Sequence, residues 1–129
     1  MHRLARETSL WLAPVVLMGV IFAFSAMPSD DVDHGFLYFL TRKAAHFTEY
    51  ALLTALWWRA LRTRLSPRAA VGLAVAISVV YAASDERHQR SVDGRVGTPK
   101  DVLIDAAGAA TAAGLILRVR ARRPDRVPG

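Results

Sequence analysis

"FLYFLTRKAAHFTEYALLTALWW", residues 36–58, is apolar except in its first third and centre, where Arg42, Lys43, His46 and Glu49 interrupt it. How this stretch is read decides the fold. A soluble amphipathic helix carries a polar stripe repeating every 3.6 residues, whereas here the charged groups gather towards one end. In a membrane helix, ionisable groups facing lipid would each be costly, so they must face polar partners on neighbouring segments. The rest of the chain decides between these readings.

Three further apolar runs accompany it. "SLWLAPVVLMGVIFAFSAM", Ser9 to Met27, contains no charge and is close to the ~20 residues that cross a bilayer. Its apolar core is longer than the 7–15 residues usual for the core of a cleaved leader, so it reads as a membrane helix. The third run spans Ala69 to Ser84 and the fourth Asp101 to Val119. Both are short as purely apolar spans, so their polar ends are expected to continue as helix into the interface. Runs one, three and four lack a polar stripe, which argues against a soluble bundle.

Composition agrees. Of 129 residues, 53% are hydrophobic and 22% charged, a mixture that suits a small membrane protein with its charges at segment ends. There are no cysteines, which rules out disulfides and thiolate metal sites. The formal charge of +6 does not form a basic stripe interleaved with aromatics, so nucleic-acid binding is not expected. No cofactor-binding signature is present.

Charge asymmetry sets the expected topology. Arg3 and Arg6 precede the first run; Arg59, Arg62, Arg64 and Arg68 separate the second and third; Arg118, Arg120, Arg122, Arg123 and Arg126 close the chain. Only Glu7 and Asp125 accompany these eleven. The other six basic residues share their side with nine carboxylates. The positive-inside rule then puts both termini in the cytoplasm and turns 28–42 and 85–100 outward. Trp57 and Trp58, with Trp11 at the same depth, read as an aromatic belt at the cytoplasmic interface. The expected architecture is all-α, a four-helix transmembrane bundle. Its helices lie near 9–27, 36–58, 69–88 and 101–119, in one domain of residues 1–119 followed by a basic tail, 120–129.

The unusual polar residues collect on the outer side. Lys43, His46 and Tyr50 are spaced i, i+3, i+7 and share a helical face, with Glu49 at its margin. The third run continues into Asp85, Glu86 and Gln89, and the fourth opens with Asp101 and Asp105 on one face. Gly108, Ala109 and Ala112 extend that face and permit close helix approach. Lys43 and His46 are expected opposite Asp105 and Asp85 or Glu86, with Arg95 near them. His2 and His34 have no partner in the pattern and read as solvated.

"KAAHFTEYALL" followed by "SDERHQRSVDGRVGTPKDVLIDAAGAATAAG" resembles the VanZ-like family of small multi-pass bacterial membrane proteins. The matching positions are Lys43, His46 and Tyr50; Asp85, Glu86 and Gln89; Arg95; and Asp101, Asp105 and Gly108. "FSAMPSDD" resembles the family's Ser-x-x-Pro exit from its first helix. Asp93 stands where the family more usually has proline in the turn before Arg95. The resemblance implies a protein of the bacterial cell membrane and cell envelope. It relates the chain to a founding member that confers low-level resistance to teicoplanin, a lipophilic glycopeptide antibiotic.

Three functions fit the residues. The first is a polar outer pocket that binds, or modifies, an anionic group of a membrane lipid, lipid-linked envelope precursor or lipophilic glycopeptide; Lys43 and Arg95 would hold phosphate or carboxylate. The second is an intramembrane hydrolase with His46 as general base, oriented by Asp85, Glu86 or Asp105. Ser84 and Ser91 flank that motif, but serines near a helix end are more often caps or turn residues. The third is a structural membrane subunit whose ion pairs only fix helix register. His46, His88, Glu86 and Asp85 offer nitrogen and oxygen donors that zinc or manganese accept, but His46-x-x-Glu49 does not place both side chains squarely on one face, and no metal site is assigned.

Overall fold

The structure, a computed structural model, describes residues 2–25, 35–90 and 99–121. These form four helices: α1 (His2–Ser25), α2 (Gly35–Leu61), α3 (Pro67–Arg90) and α4 (Pro99–Ala121). The shortest has 23 residues and the longest 27, about 35–40 Å at 1.5 Å per residue. Among the described residues the secondary structure is entirely helical.

The helices extend beyond their apolar runs. α1 begins at His2 rather than Ser9, because Arg3, Leu4, Ala5, Arg6 and Glu7 are all good helix formers and nothing between them breaks the turn. Pro14 lies inside α1, where it removes one backbone hydrogen bond, and its ring is fully buried. α2 runs on to Leu61, and α4 continues through Arg120 and Ala121, so the expected tail begins as helix. The expected end of the first helix at Met27 and the tail from 122 lie outside the described residues.

Local signals set the ends. Gly35 opens α2 with φ +84°, a left-handed conformation that suits glycine. Ser66 caps α3: its hydroxyl accepts from the Ala69 amide at 3.4 Å, and its carbonyl accepts from the Ala70 amide at 2.8 Å. Pro67 follows at the first helical position, where its missing N–H costs nothing.

α2 is the centre of the bundle and packs on all three other helices, most extensively on α4. α3 also packs on α4, while α1 lies against α2 and touches α3 only lightly. The interior and exterior are inverted relative to a soluble protein. Many buried positions are small or polar (Ala60, Ala70, Ala74, Ala82, Ala109, Thr54, Ser78, Asp85 and Asp105), beside a few large ones, Ile21, Tyr50, Leu53 and Leu61. The outside carries Leu12, Val16, Phe22, Leu52, Val80, Leu103 and Leu115. A water-soluble bundle this apolar outside would aggregate, whereas helices in lipid pack through small and hydrogen-bonding residues.

α1, α3 and α4 each contain a segment long and apolar enough to cross a membrane: His2–Ala23, Pro67–His88 and Val102–Ala121. α2 is the longest helix, but Arg42, Lys43 and Glu49 in its first half set it apart from these three.

Candidate functional site

The acidic residues that α3 and α4 bury meet His46 and Tyr50 of α2 at one end of the bundle. On α3 the buried positions Val71, Ala74, Ser78, Ala82 and Asp85 recur every three or four residues, which keeps them on one face. Asp85 is the last of these. On α4 the corresponding face is Asp105, Gly108, Ala109 and Ala112. On α2 it runs from His46 through Tyr50, Leu53 and Thr54.

Gly108 governs the geometry. A Cβ at this position would collide with the backbone carbonyl of Phe47, so the two helices approach as closely as glycine permits. Asp105 lies one turn before Gly108, and His46 immediately before Phe47. The close approach therefore brings Asp105 Oδ1 to 3.7 Å from His46 Nδ1. Glu49 Oε2 stands 3.9 Å from the same nitrogen, three residues along α2. The imidazole is thus held between a carboxylate on its own helix and one on α4. Asp105 is only 5% exposed and Asp85 equally so, while His46 and Glu49 keep part of their surface open. Lys43 lies half-buried one turn before His46, and Glu86 half-buried beside Asp85.

Tyr50 occupies the floor. Its side chain has no exposed surface, and its hydroxyl makes no hydrogen bond among the described residues. The carboxylates of Asp85 and Asp105 lie within electrostatic reach of that hydroxyl. The Tyr81 ring stands 6.4 Å away, and its own hydroxyl donates to the Met18 carbonyl, tying α3 to α1. At the rim, the rings of Phe22 and His88 approach to 4.6 Å.

Below the floor lies a feature that the sequence reading missed. Thr54 donates to the Tyr50 carbonyl at 2.9 Å and shares a 2.9 Å hydrogen bond with the Ser78 hydroxyl. Both residues are fully buried. The signal was one of spacing: Thr54 is one turn beyond Tyr50, and Ser78 two turns before Asp85.

The structure thus brings together His46, Glu49, Tyr50, Asp85 and Asp105 at one end of α2, α3 and α4, with Lys43 one turn before His46 along α2 and Glu86 next to Asp85 along α3. Arg95 and the side chains of Gln89 and Asp101 lie outside the described residues. Among the described residues, no three histidine or acidic side chains are placed to hold a metal ion. Ser84, a candidate nucleophile by position, is exposed and donates to the Val80 carbonyl of its own helix; Ser91 lies outside the described residues. What the cluster offers chemically is a mixed-charge surface of hydrogen-bonding groups at the edge of an apolar bundle.

The VanZ/LLP1 family model matches residues 10–120, nearly the whole chain. The chain belongs to the VanZ/LLP1 family. No curated protein and no solved structure matches it in the corresponding comparisons. The matched span includes α2 and α3 whole, α1 from Leu10, α4 as far as Arg120, and every residue of the polar cluster. Family membership and three membrane-length apolar helices together make this a VanZ-like membrane protein.

Proposed function

We propose that this VanZ-like protein lies in the bacterial cytoplasmic membrane with all four helices crossing and both termini inside. Its outer polar cluster binds the anionic head of a lipid-linked envelope precursor or of a lipophilic glycopeptide. The observation that carries the reading is the burial of ionisable side chains between helices of a bundle whose outside is apolar. Ionisable groups at such depth are costly and typically mark a ligand or ion path. Lys43 supplies positive charge, and Arg95, in the sequence between α3 and α4 and outside the described residues, would add a bidentate donor. Asp105 and Glu49 stand 3.7 and 3.9 Å from the imidazole Nδ1, and the buried Tyr50 hydroxyl is a hydrogen-bond donor in reserve. A groove of about 380 Å³ between α1 and α3, lined by Met18, Leu73, Ile77, Val80 and Tyr81, gives an acyl or prenyl chain a path towards Ser84 and the cluster.

The test is retention of a polyprenyl phosphate, and separately of teicoplanin, by purified full-length protein in native mass spectrometry. Lys43→Gln and Tyr50→Phe should lower retention of the ligand that binds while the protein stays folded. Equal retention by wild type and both variants, or none by wild type, would rule the pocket out and favour a purely structural role. Orientation has its own check, because the chain lacks cysteine. Phe36→Cys should react with an impermeant maleimide in spheroplasts, and Leu65→Cys only after lysis. Labelling of position 65 from outside would move the cluster to the cytoplasm.

A further inference from the structure

The opposite end of the bundle holds a second site. Where α3 begins and α4 ends, a pocket of about 740 Å³ is lined by Ser66, Pro67, Arg68, Leu117, Arg120 and Ala121. Arg68 and Arg120 line it, one from each helix, while Pro67, Leu117 and Ala121 give it an apolar wall. Leu117 is 44% exposed, so that wall opens to the side where lipid would lie.

Electrostatics at this end runs one way. Arg62, Arg64 and Arg118 lie within four residues of the pocket residues in sequence, and Arg3 and Arg6 start α1 at the same end. The single acid among the described residues here is Glu7, and its helix α1 makes no contact with α4 among those residues. Ser66 caps the Ala69 amide, which leaves the positive end of the α3 dipole directed at the pocket. The last carbonyls of α4 contribute partial negative charge, which Arg118 and Arg120 in its final turn offset. Two arginines bordering one pocket repel each other; an anion between them converts that repulsion into two charge-assisted contacts.

We propose that this pocket binds the phosphate of an anionic phospholipid, with Arg68 and Arg120 gripping its oxygens and an acyl chain lying along Leu117. Basic pockets between membrane helices at a cytoplasmic interface suit such headgroups. The bound lipid staples α3 to α4 at the end remote from the polar cluster. The proposal rests on the bundle lying in a membrane and is independent of what the polar cluster binds.

The experiment uses the full chain in detergent. Retention of phosphatidylglycerol is read by native mass spectrometry, and thermal stabilisation by that lipid is read alongside. Each arginine near the surface is worth about fivefold in affinity, so Arg68→Gln with Arg120→Gln should lower retention roughly 30-fold. Arg3→Gln, at the same end but away from the pocket, should leave it unchanged. Ala121→Phe fills the pocket without removing charge and should also displace the lipid. Stabilisation should be greater with phosphatidylglycerol than with phosphatidylcholine and should fall with salt.

Several outcomes would overturn the assignment. Equal loss in Arg3→Gln, or full retention in Ala121→Phe, would reduce the effect to a diffuse field with no pocket. Equal binding of phosphatidylcholine, or competition by inorganic phosphate at the lipid's concentration, would remove the anionic lipid as occupant. Ligand retention at the polar cluster should be unaffected by Arg68→Gln and Arg120→Gln, which separates failure here from failure there.

Discussion

The two ends of the bundle hold charge in opposite ways. At the start of α2, acids and a histidine are drawn between helices, with Asp85 and Asp105 buried and His46 held between Glu49 and Asp105. At the end of α2, most arginines lie outside: Arg62, Arg64, Arg68, Arg118 and Arg120 are all exposed, while Arg59 is half-buried. Arg62 stacks over the Trp58 ring at 4.7 Å instead of entering the bundle. Side-chain length explains part of this contrast. An arginine near a helix end reaches the interface by extending its stem, whereas a short aspartate cannot, so its partner must come to it. Buried charge therefore specifies which helices meet at one end, while exposed charge at the other specifies which side of a membrane they meet on.

The largest effect should follow from breaking the buried end. Asp105→Ala leaves the histidine without its α4 partner and should cost about 3–5 kcal/mol of stability in detergent unfolding. Asp105→Asn should be milder, because the amide keeps the shape and a polar oxygen facing the imidazole. A double-mutant cycle with His46→Leu should show coupling. Additive effects at 46 and 105 would mean that the 3.7 Å approach carries no energy, and a parallel cycle with Lys43→Met would then identify the partner.

Next is the contact that makes this pairing possible. Gly108→Ala places a methyl group against the Phe47 carbonyl, and backbone cannot yield as a flexible side chain would. The expected loss is about 2–3 kcal/mol, the upper part of the overpacking range. The same change should weaken the His46–Asp105 coupling, since the helices must separate. A stable Gly108→Ala protein with intact coupling would show that α2 and α4 leave room for a methyl group at this crossing.

Much of this contrast is legible in the sequence, and the remainder has definite physical reasons. Four apolar runs mark four helices, but not their ends: hydropathy marks what can lie in lipid, whereas Arg3 to Glu7 continue α1 simply as good helix formers. A histidine and two aspartates inside apolar helices stand out because burial of such groups demands a partner. The choice between Lys43 and His46 as the neighbour of Asp105 does not stand out, because both share one face of α2. How near each comes depends on helix separation, which the close approach of Gly108 to the Phe47 backbone limits. Thr54 and Ser78 escape the pattern for another reason. A helical hydroxyl can bond its own helix's carbonyl, as Thr48 and Thr111 do, so its presence demands no partner on another helix.

That hydroxyl pair gives a smaller effect. Thr54→Val keeps the shape but removes the bond to Ser78, in the middle of the bundle between the two ends. Interhelical hydrogen bonds in membrane proteins average about 0.6 kcal/mol and reach about 1.7. A loss in that range, cancelled in part by Ser78→Ala, is expected from unfolding in detergent. A loss of the size predicted for Asp105→Ala would place Thr54 in the buried polar network instead.

The smallest effect should come from the exposed end. Arg62→Gln removes the cation over Trp58, and exposed cation–π contacts are worth about 0.5–1 kcal/mol. The side chain leaves no buried partner behind, since its guanidinium faces outward and the Trp58 ring keeps its packing against the cluster of Leu61, Ala70 and Ala74. Arg62→Lys should retain part of the contact and Arg62→Gln little of it. Neither change should alter the coupling between His46 and Asp105, which lies at the other end of α2. The sharper readout is orientation. Removing Arg62 alone leaves Arg59, Arg64 and Arg68 in the same connection, so accessibility of Leu65→Cys should not change, whereas changing all four to glutamine should raise its labelling from outside. If Arg62→Gln destabilised the protein as much as Asp105→Ala, the arginine end would be holding the helices together as well as orienting them, and the contrast between the two ends would fail.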